Sequence, residues 1–426
     1  MAAPPPPAFD RARCAERLRR EIALLSAPPY TADSDAVTRY AFTEPYWRTI
    51  DHVRGCLEEI GFEAWLDPVG NLIARNCAPG VRAVGLGSHC DSVRGGGRYD
   101  GILGVLTAIE VAREARAAGL DLPLQIVSWV EEEASGFGQM LLGSRIAAGE
   151  IDEAALRRDI RAIDDGRPFW EHAQQAGLTV EHVAHTAEVL NGMASWIELH
   201  IEQGRVLEDA GDELGIVTDV AGYVHADLWF TGQADHAGAT PMDLRRDALV
   251  AAALTIAELE RLARQAGSDA VGTVGELAVA PGVINAVPGE IRASLDVRAT
   301  RSEAIDAILD GVRGVAERVG IEREINVRYQ ERQRLAPVAL DGAVCAALER
   351  GAARAGARWR RMISGAAHDT MCIARSVPSA MVFIPCVGGI SHSAAEDASP
   401  TDAALGVNVI LAAVLDLTER TTGGGR

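Results

Sequence analysis

Four apolar, β-rich runs in this chain each stop at a histidine or a glutamate: AVGLGSH (83–89), LQIVSWVEEE (124–133), ASWIELHIEQG (194–204) and AMVFIPCVGGISH (380–392). Helical patterns separate them, notably GILGVLTAIEVAREAR at 101–116. Strands alternating with helices predict an α/β fold with a mainly parallel central sheet flanked by helices. In open sheets of that kind, ligands lie beyond the carboxyl ends of the strands. Segments far apart in sequence can then converge on one crevice, carrying side chains that suit hard or borderline cations.

Each segment also has a plainer reading. In GSHCDSVRGGGRYDG (87–101), His89 closes a strand and Asp91 follows on the same side. A carboxylate there can anchor the second nitrogen of a ligating imidazole. The glycines let the loop fold back so that Asp100 meets His89 at one ion; the alternative is a surface turn with a capping aspartate. Cys90 points the other way and is expected to be buried. Glu131, Glu132 and Glu133 repel one another at a buried strand end unless cations are near. One of them can bind metal while its neighbour moves protons, against the alternative of a solvated acidic turn. His200, between Glu198 and Glu202, reads alone as a core histidine, and His392 sits in a Gly-rich loop with Glu396 as an orienting partner. Together, three histidines and two carboxylates at equivalent strand ends suit two cations about 3.5–4 Å apart.

Composition narrows the chemistry. The 426 residues carry a net charge of −19, unsuited to nucleic acid or anionic membranes. All 41 basic residues are arginine, which excludes a PLP Schiff base, a lysine aldolase and a Walker A lysine. No GxGxxG opens a βαβ unit, and no run approaches the ~20 apolar residues of a membrane span. The lead-in MAAPPPPAFDRAR lacks the apolar core of a signal peptide, and the closing TTGGGR is expected to be irregular. Seven scattered cysteines without a CxxC pair point to reduced thiols and a cytoplasmic protein.

Helices are expected from about residue 8 to 25 and 45 to 60, followed by a hairpin in AWLDPVGNLIAR. Between about 215 and 330 the texture changes. HADLWFTGQ and EIRASLDVRAT alternate like antiparallel strands, and 245–265 and 301–320 are amphipathic helices. This predicts an α+β insertion with its own core, two strands and two helices. Residues 1–213 and 331–426 would form the other domain, and 214–330 the insertion.

The words GSHCDSVRGGGRYDGILGV, VEEEASGF, ELHIEQG, ADHAGATPM, SGAAHD and GGISHS, in this order, resemble the amidase and carbamoylase branch of the dinuclear metallopeptidase superfamily. N-carbamoyl-L-amino-acid hydrolases, β-ureidopropionases and allantoate amidohydrolases belong to it. The resemblance runs from about residue 15 to 420. It implies two divalent metal ions, zinc first and manganese, cobalt or nickel as alternatives. Asp100 would bridge them, His89 and His200 completing one site and Glu133 and His392 the other. Glu132 would be the general base and then the acid. Gln203, His236, Asn285 and Arg298 would contact a small ureido or N-carbamoyl acid, with His236 supplied by a partner subunit. The insertion would be a lid and dimerisation domain, making a homodimer.

Taken alone, Arg298 shares a strand face with Asp296 and reads as an exposed ion pair. A guanidinium is nevertheless a natural bidentate partner for a substrate carboxylate. His236, in QADHAGATP, reads alone as a loop histidine; brought inward, it can donate a hydrogen bond to a developing oxyanion. Three words depart from the family pattern: Ala134-Ser135-Gly136-Phe137 lacks an arginine before the phenylalanine, Thr370 follows His368-Asp369, and Ala394 replaces a proline. None removes a metal ligand; the missing arginine bears on which substrate fits. The expected activity is hydrolysis of a ureido C–N bond. The alternatives are allantoate amidohydrolysis, a dipeptidase or N-acyl amino-acid hydrolase with the same ions, and a small-ligand binding protein on the same fold.

Overall fold

The computed structural model describes residues 9–423. The first eight residues of the lead-in and the last three of TTGGGR lie outside the described residues. The chain divides into two compact units. The first runs to Thr218 and takes in Leu340–Met362 and the chain from His368 onward; the second comprises Asp219–Ala339 and Ile363–Ala367.

In the first unit the four expected runs form strands Ala83–His89, Leu124–Trp129, Met193–Ile201 and Ser379–Ile384, buried along almost their entire length. They are mutually parallel, in the order Leu124–Trp129, Ala83–His89, Met193–Ile201, Ser379–Ile384. Their carboxyl ends therefore open on one edge. The flanks are antiparallel. The hairpin Glu63–Leu66 and Leu72–Arg75 joins at the Leu124 strand, and Leu214–Val220 joins beside Ser379–Ile384. The sheet is parallel where it carries the histidines and glutamates and antiparallel where it ends.

Burial on both faces explains the unbroken apolar runs. The helix Ile102–Ala117 packs against the Ala83–His89 strand, and Pro400–Gly423 packs on Gly342–Ala355 and Arg11–Leu25. The span Pro400–Glu419, with mean hydropathy 1.5, is by length and composition apolar enough to cross a membrane, which corrects the expectation that no such run exists. Its apolarity is that of a core helix: Ala403, Leu405, Val407, Val409, Ile410 and Val414 are buried within the unit. The expected irregular tail is also corrected in part, since the helix continues to Gly423.

The second unit has the antiparallel pair expected, Gly222–Thr231 against Glu290–Ala299 in continuous register. It holds more strands than expected. Asn326–Leu335 runs along the other side of Gly222–Thr231, and Leu277–Ala280 and Val271–Thr273 pair with Glu290–Ala299. Helices Ala248–Ala266 and Ser302–Arg323 cover this sheet through Leu259, Ile305, Ile308, Leu309 and Val312. The missed strand reads NVRYQERQRL. Its outward face is polar and charged, so it lacks the apolar density that marks a strand in sequence.

Candidate metal centre

Asp100 stands where the four parallel strands end, just before the helix Ile102–Ala117. Its two oxygens face different groups. Oδ1 lies 3.0 Å from His200 Nε2 and 3.9 Å from His89 Nε2, whereas Oδ2 lies 3.2 Å from His392 Nε2. His392 Nε2 is in turn 3.5 Å from Glu133 Oε2, and Glu132 Oε2 is 3.8 Å from His89 Nε2. Two ligand groups thus share one aspartate: His89, Asp100 and His200, and Asp100, Glu133 and His392, each with donor atoms within 4.8 Å of one another.

The imidazoles have the tautomer that ligation needs. His89 Nδ1 is 3.1 Å from the carbonyl of Asp91, and His200 Nδ1 is 2.9 Å from that of Ile201. A carbonyl only accepts, so each Nδ1 carries a proton and each ring turns its Nε2 toward Asp100, the atom that a cation would take in place of a second proton. Two Nε2 atoms turned on one carboxylate oxygen make a position that a cation would satisfy. Glu133 Oε1 is buried and makes no hydrogen bond, another sign of a position that a cation would satisfy. Burial, then the charge of Glu133 and nearby aspartates, pushes Glu132 well above the usual carboxylate range, and burial followed by the charge of Asp100 and Asp91 does the same to Glu133. Burial acts on Asp100 in the same direction, but His200, His392 and His89 outweigh it and hold Asp100 well below that range. These nitrogen and oxygen donors fit divalent metal ions of borderline hardness.

Two orienting roles expected from sequence go to other groups. The Asp91 carboxylate is 3.7 Å from His89 Nδ1, and it is the Asp91 carbonyl that holds the ring. The carboxylate instead accepts from the backbone N–H of Glu132 (3.2 Å) and Glu133 (3.1 Å), clamping the glutamate turn onto the histidine loop. Glu396 does not orient His392; it accepts from the backbone N–H of Tyr99 (2.8 Å) and Asp100 (3.1 Å) and from the Ser391 hydroxyl (2.8 Å). Backbone N–H groups buried at these turns need acceptors, and the two carboxylates supply them. Glu131 faces away from the cluster and accepts from Gly136 and Phe137 N–H. Cys90 is buried as expected.

Of the expected substrate contacts, Gln203 lies in the cluster and donates through Nε2 to Asp100 Oδ2 at 2.9 Å. The others belong to the second unit. His236 and Asn285 adjoin there, the N–H of Ala237 donating to the Asn285 carbonyl at 2.9 Å. Arg298 forms the pair that its strand face allows, binding Asp296 through Nε and Nη2 and donating through Nη1 to the Gly365 carbonyl at 2.8 Å.

His368 and Glu198 had no role assigned from sequence. The His368 ring is buried 4.6 Å from that of His200, and both residues join His200 in a third ligand-capable group. Glu198 accepts hydrogen bonds from Ser88 (2.7 Å) and Thr370 (2.6 Å), tying three segments together beneath the centre. The available signal was the word SGAAHD, with a histidine beside an aspartate just after the strand Trp359–Ser364.

The chain is 38% identical over 391 residues to an N-carbamoyl-L-amino acid amidohydrolase of Geobacillus stearothermophilus, covering 91% of this chain and 94% of that protein. It is 30% identical over 386 residues to an allantoate amidohydrolase of Bacillus subtilis, covering 89% and 93%. The structure superposes on an amidase of the hydantoinase/carbamoylase family from Burkholderia multivorans with a TM-score of 0.86 and 32% identity, over 96% of this chain and 98% of that one. Residues 85–416 match peptidase family M20/M25/M40, the span that carries every ligand of the cluster, and the chain belongs to that family.

Proposed function

We propose that this protein is a dinuclear metal-dependent amidohydrolase that cleaves the ureido C–N bond of N-carbamoyl amino acids or related ureido acids, giving the amino acid, carbon dioxide and ammonia. The observation that carries the reading is Asp100, whose two oxygens face separate ligand groups with Glu132 alongside. His89 and His200 would hold one ion, Glu133 and His392 the other, with Asp100 shared. Bound divalent ions supply Lewis-acid polarisation of a carbonyl and lower the pKa of water from 15.7 to ~7. We take zinc as the ion, with manganese, cobalt or nickel as alternatives that imidazole and carboxylate donors also accept.

Glu132 takes the proton of the attacking water and delivers it to the leaving nitrogen. Its burial, which favours the protonated carboxyl, suits the second step. Gln203, held on Asp100, is poised to exchange that hydrogen bond for one to substrate. We assign the carboxylate of the substrate to Arg298 and its ureido group to Asn285 and His236, the last also serving the developing oxyanion. We further assign dimerisation to the second unit as a homodimer, which its exposed Met242, Leu244 and Ile284 support. No disulfide joins the seven cysteines, which supports a cytoplasmic location.

The test is Glu132→Gln. It should keep its divalent ions and lose about 10²- to 10⁴-fold in kcat on N-carbamoyl amino acids; near-normal turnover would remove the role. A panel of N-carbamoyl acids, allantoate, N-acyl acids and dipeptides assayed for ammonia separates the substrate classes, because dipeptides release none.

A further inference from the structure

Outside the candidate centre, three ligand-type side chains converge between the helices Arg11–Leu25 and Glu44–Glu59. His52 and Cys56 lie four residues apart and so share a helix face; Glu21 reaches them from the other helix. Glu21 Oε2 is 2.7 Å and Cys56 Sγ 3.6 Å from the same atom, His52 Nε2. The three donor atoms lie within 4.8 Å of one another, and all three residues are partly buried.

This is not the arrangement of a thiol nucleophile. There, the base receives the thiol proton on one ring nitrogen while a carboxylate holds the other. Here both partners address one nitrogen. If Nε2 carries a proton, that proton satisfies Glu21 and the thiol has no acceptor on the ring. If Nε2 is bare, the thiol can donate but the carboxylate meets a lone pair. A cation in the proton's place satisfies all three donors at once.

The spacing agrees. A tetrahedral ion bound at ~2.3 Å to sulfur and ~2.0 Å to nitrogen sets these atoms about 3.5 Å apart, close to the 3.6 Å found. Nitrogen and oxygen ligands at ~2.0 Å would be about 3.3 Å apart, so Glu21 needs to withdraw by roughly 0.6 Å, within reach of a partly exposed side chain.

We propose that Glu21, His52 and Cys56 form a third, non-catalytic site for a thiophilic divalent cation such as zinc, with water at the fourth position. Binding releases the Cys56 thiol proton and the His52 Nε2 proton to solvent and joins the two helices through the ion. The site shares no residue with the Asp100 cluster.

The full-length protein, freed of metal by chelation, is titrated with Co²⁺ and followed by absorption, then equilibrated with Zn²⁺, desalted and analysed for metal. The ligands around Asp100 include no thiolate, so a thiolate-to-cobalt charge-transfer band reports on Cys56. The wild type should show the band; Cys56→Ser and His52→Ala should lose it and retain one equivalent of zinc fewer. Glu21→Gln should keep the band with weaker binding. Activity towards ureido acids should be unchanged in all three variants. Absence of the band in the wild type, or zinc content equal in wild type and Cys56→Ser, would overturn the proposal. Because the comparison is between variants that keep the Asp100 cluster, its failure leaves the catalytic reading intact, and failure of that reading leaves the band in place.

Discussion

Replacing Gly101 with alanine tests whether the glycine loop exists to seat His89. Gly101 has φ +67° and ψ −61°, a backbone state that L residues seldom adopt, and a Cβ there carries a strain of about 1–3 kcal/mol. The same Cβ would lie 2.2 Å from His89 Cε1 and 2.4 Å from both ring nitrogens. Ordinary contact begins at 3.4 Å, so ring and helix start must part by about 1.2 Å. His89 is buried and held by the Asp91 carbonyl, which leaves displacement of its Nε2 from Asp100 as the available response. A misplacement of ~1 Å in a catalytic constellation costs about 10²-fold. Gly101→Ala should therefore fold, lose roughly 1–3 kcal/mol in urea unfolding, and fall about 10²-fold in kcat/KM on an N-carbamoyl amino acid, with weakened metal retention. Gly119→Ala is the control: it has φ +68° but open space around its Cβ, so it should show the strain without the kinetic loss. Gly101→Ala retaining wild-type kcat/KM and metal content would refute the argument that this turn positions a ligand.

Gly87→Ala should cost on the order of 4 kcal/mol or more and yield little folded protein, because a Cβ would stand 1.8 Å from the Val127 carbonyl across the parallel strand pair; a melting temperature within a few degrees of wild type would contradict this. Asp296 is pushed up by desolvation, but hydrogen bonds and charge from His225 and Arg298 win and hold it at about 2. A folded-state pKa below the unfolded value of ~3.9 stabilises above that pH, and the benefit is lost as pH falls toward 2. The stability gap between wild type and Asp296→Asn, from guanidinium unfolding at each pH, should narrow on acidification through that window; a gap constant with pH would show that the ion pair contributes nothing.

The chain announced its centre in short local words. AVGLGSH, SWVEEE and ELHIEQG each join a strand to its ligand within a few residues, so strand, strand end and donor are legible together, while His392 follows the end of its strand at Ile384 across a glycine-rich turn. The amphipathic helices of the second unit were legible for the same reason, since a helical period repeats within one segment. The strand Asn326–Leu335 was not, because its identity depends on pairing along Gly222–Thr231 rather than on its own composition.

Which groups would hold the ligands in place was decided by tertiary structure alone. Sequence offered Asp91 to His89 and Glu396 to His392, as near neighbours. Folding brings Asp91 to the backbone of Glu132 and Glu133, 41 and 42 residues away, and Glu396 to Tyr99 and Asp100, 297 and 296 residues away. A buried carboxylate takes whichever N–H groups the packed chain presents to it. Proximity along the sequence names the donors of a site, but the partners of those donors exist only once the strands have been laid side by side.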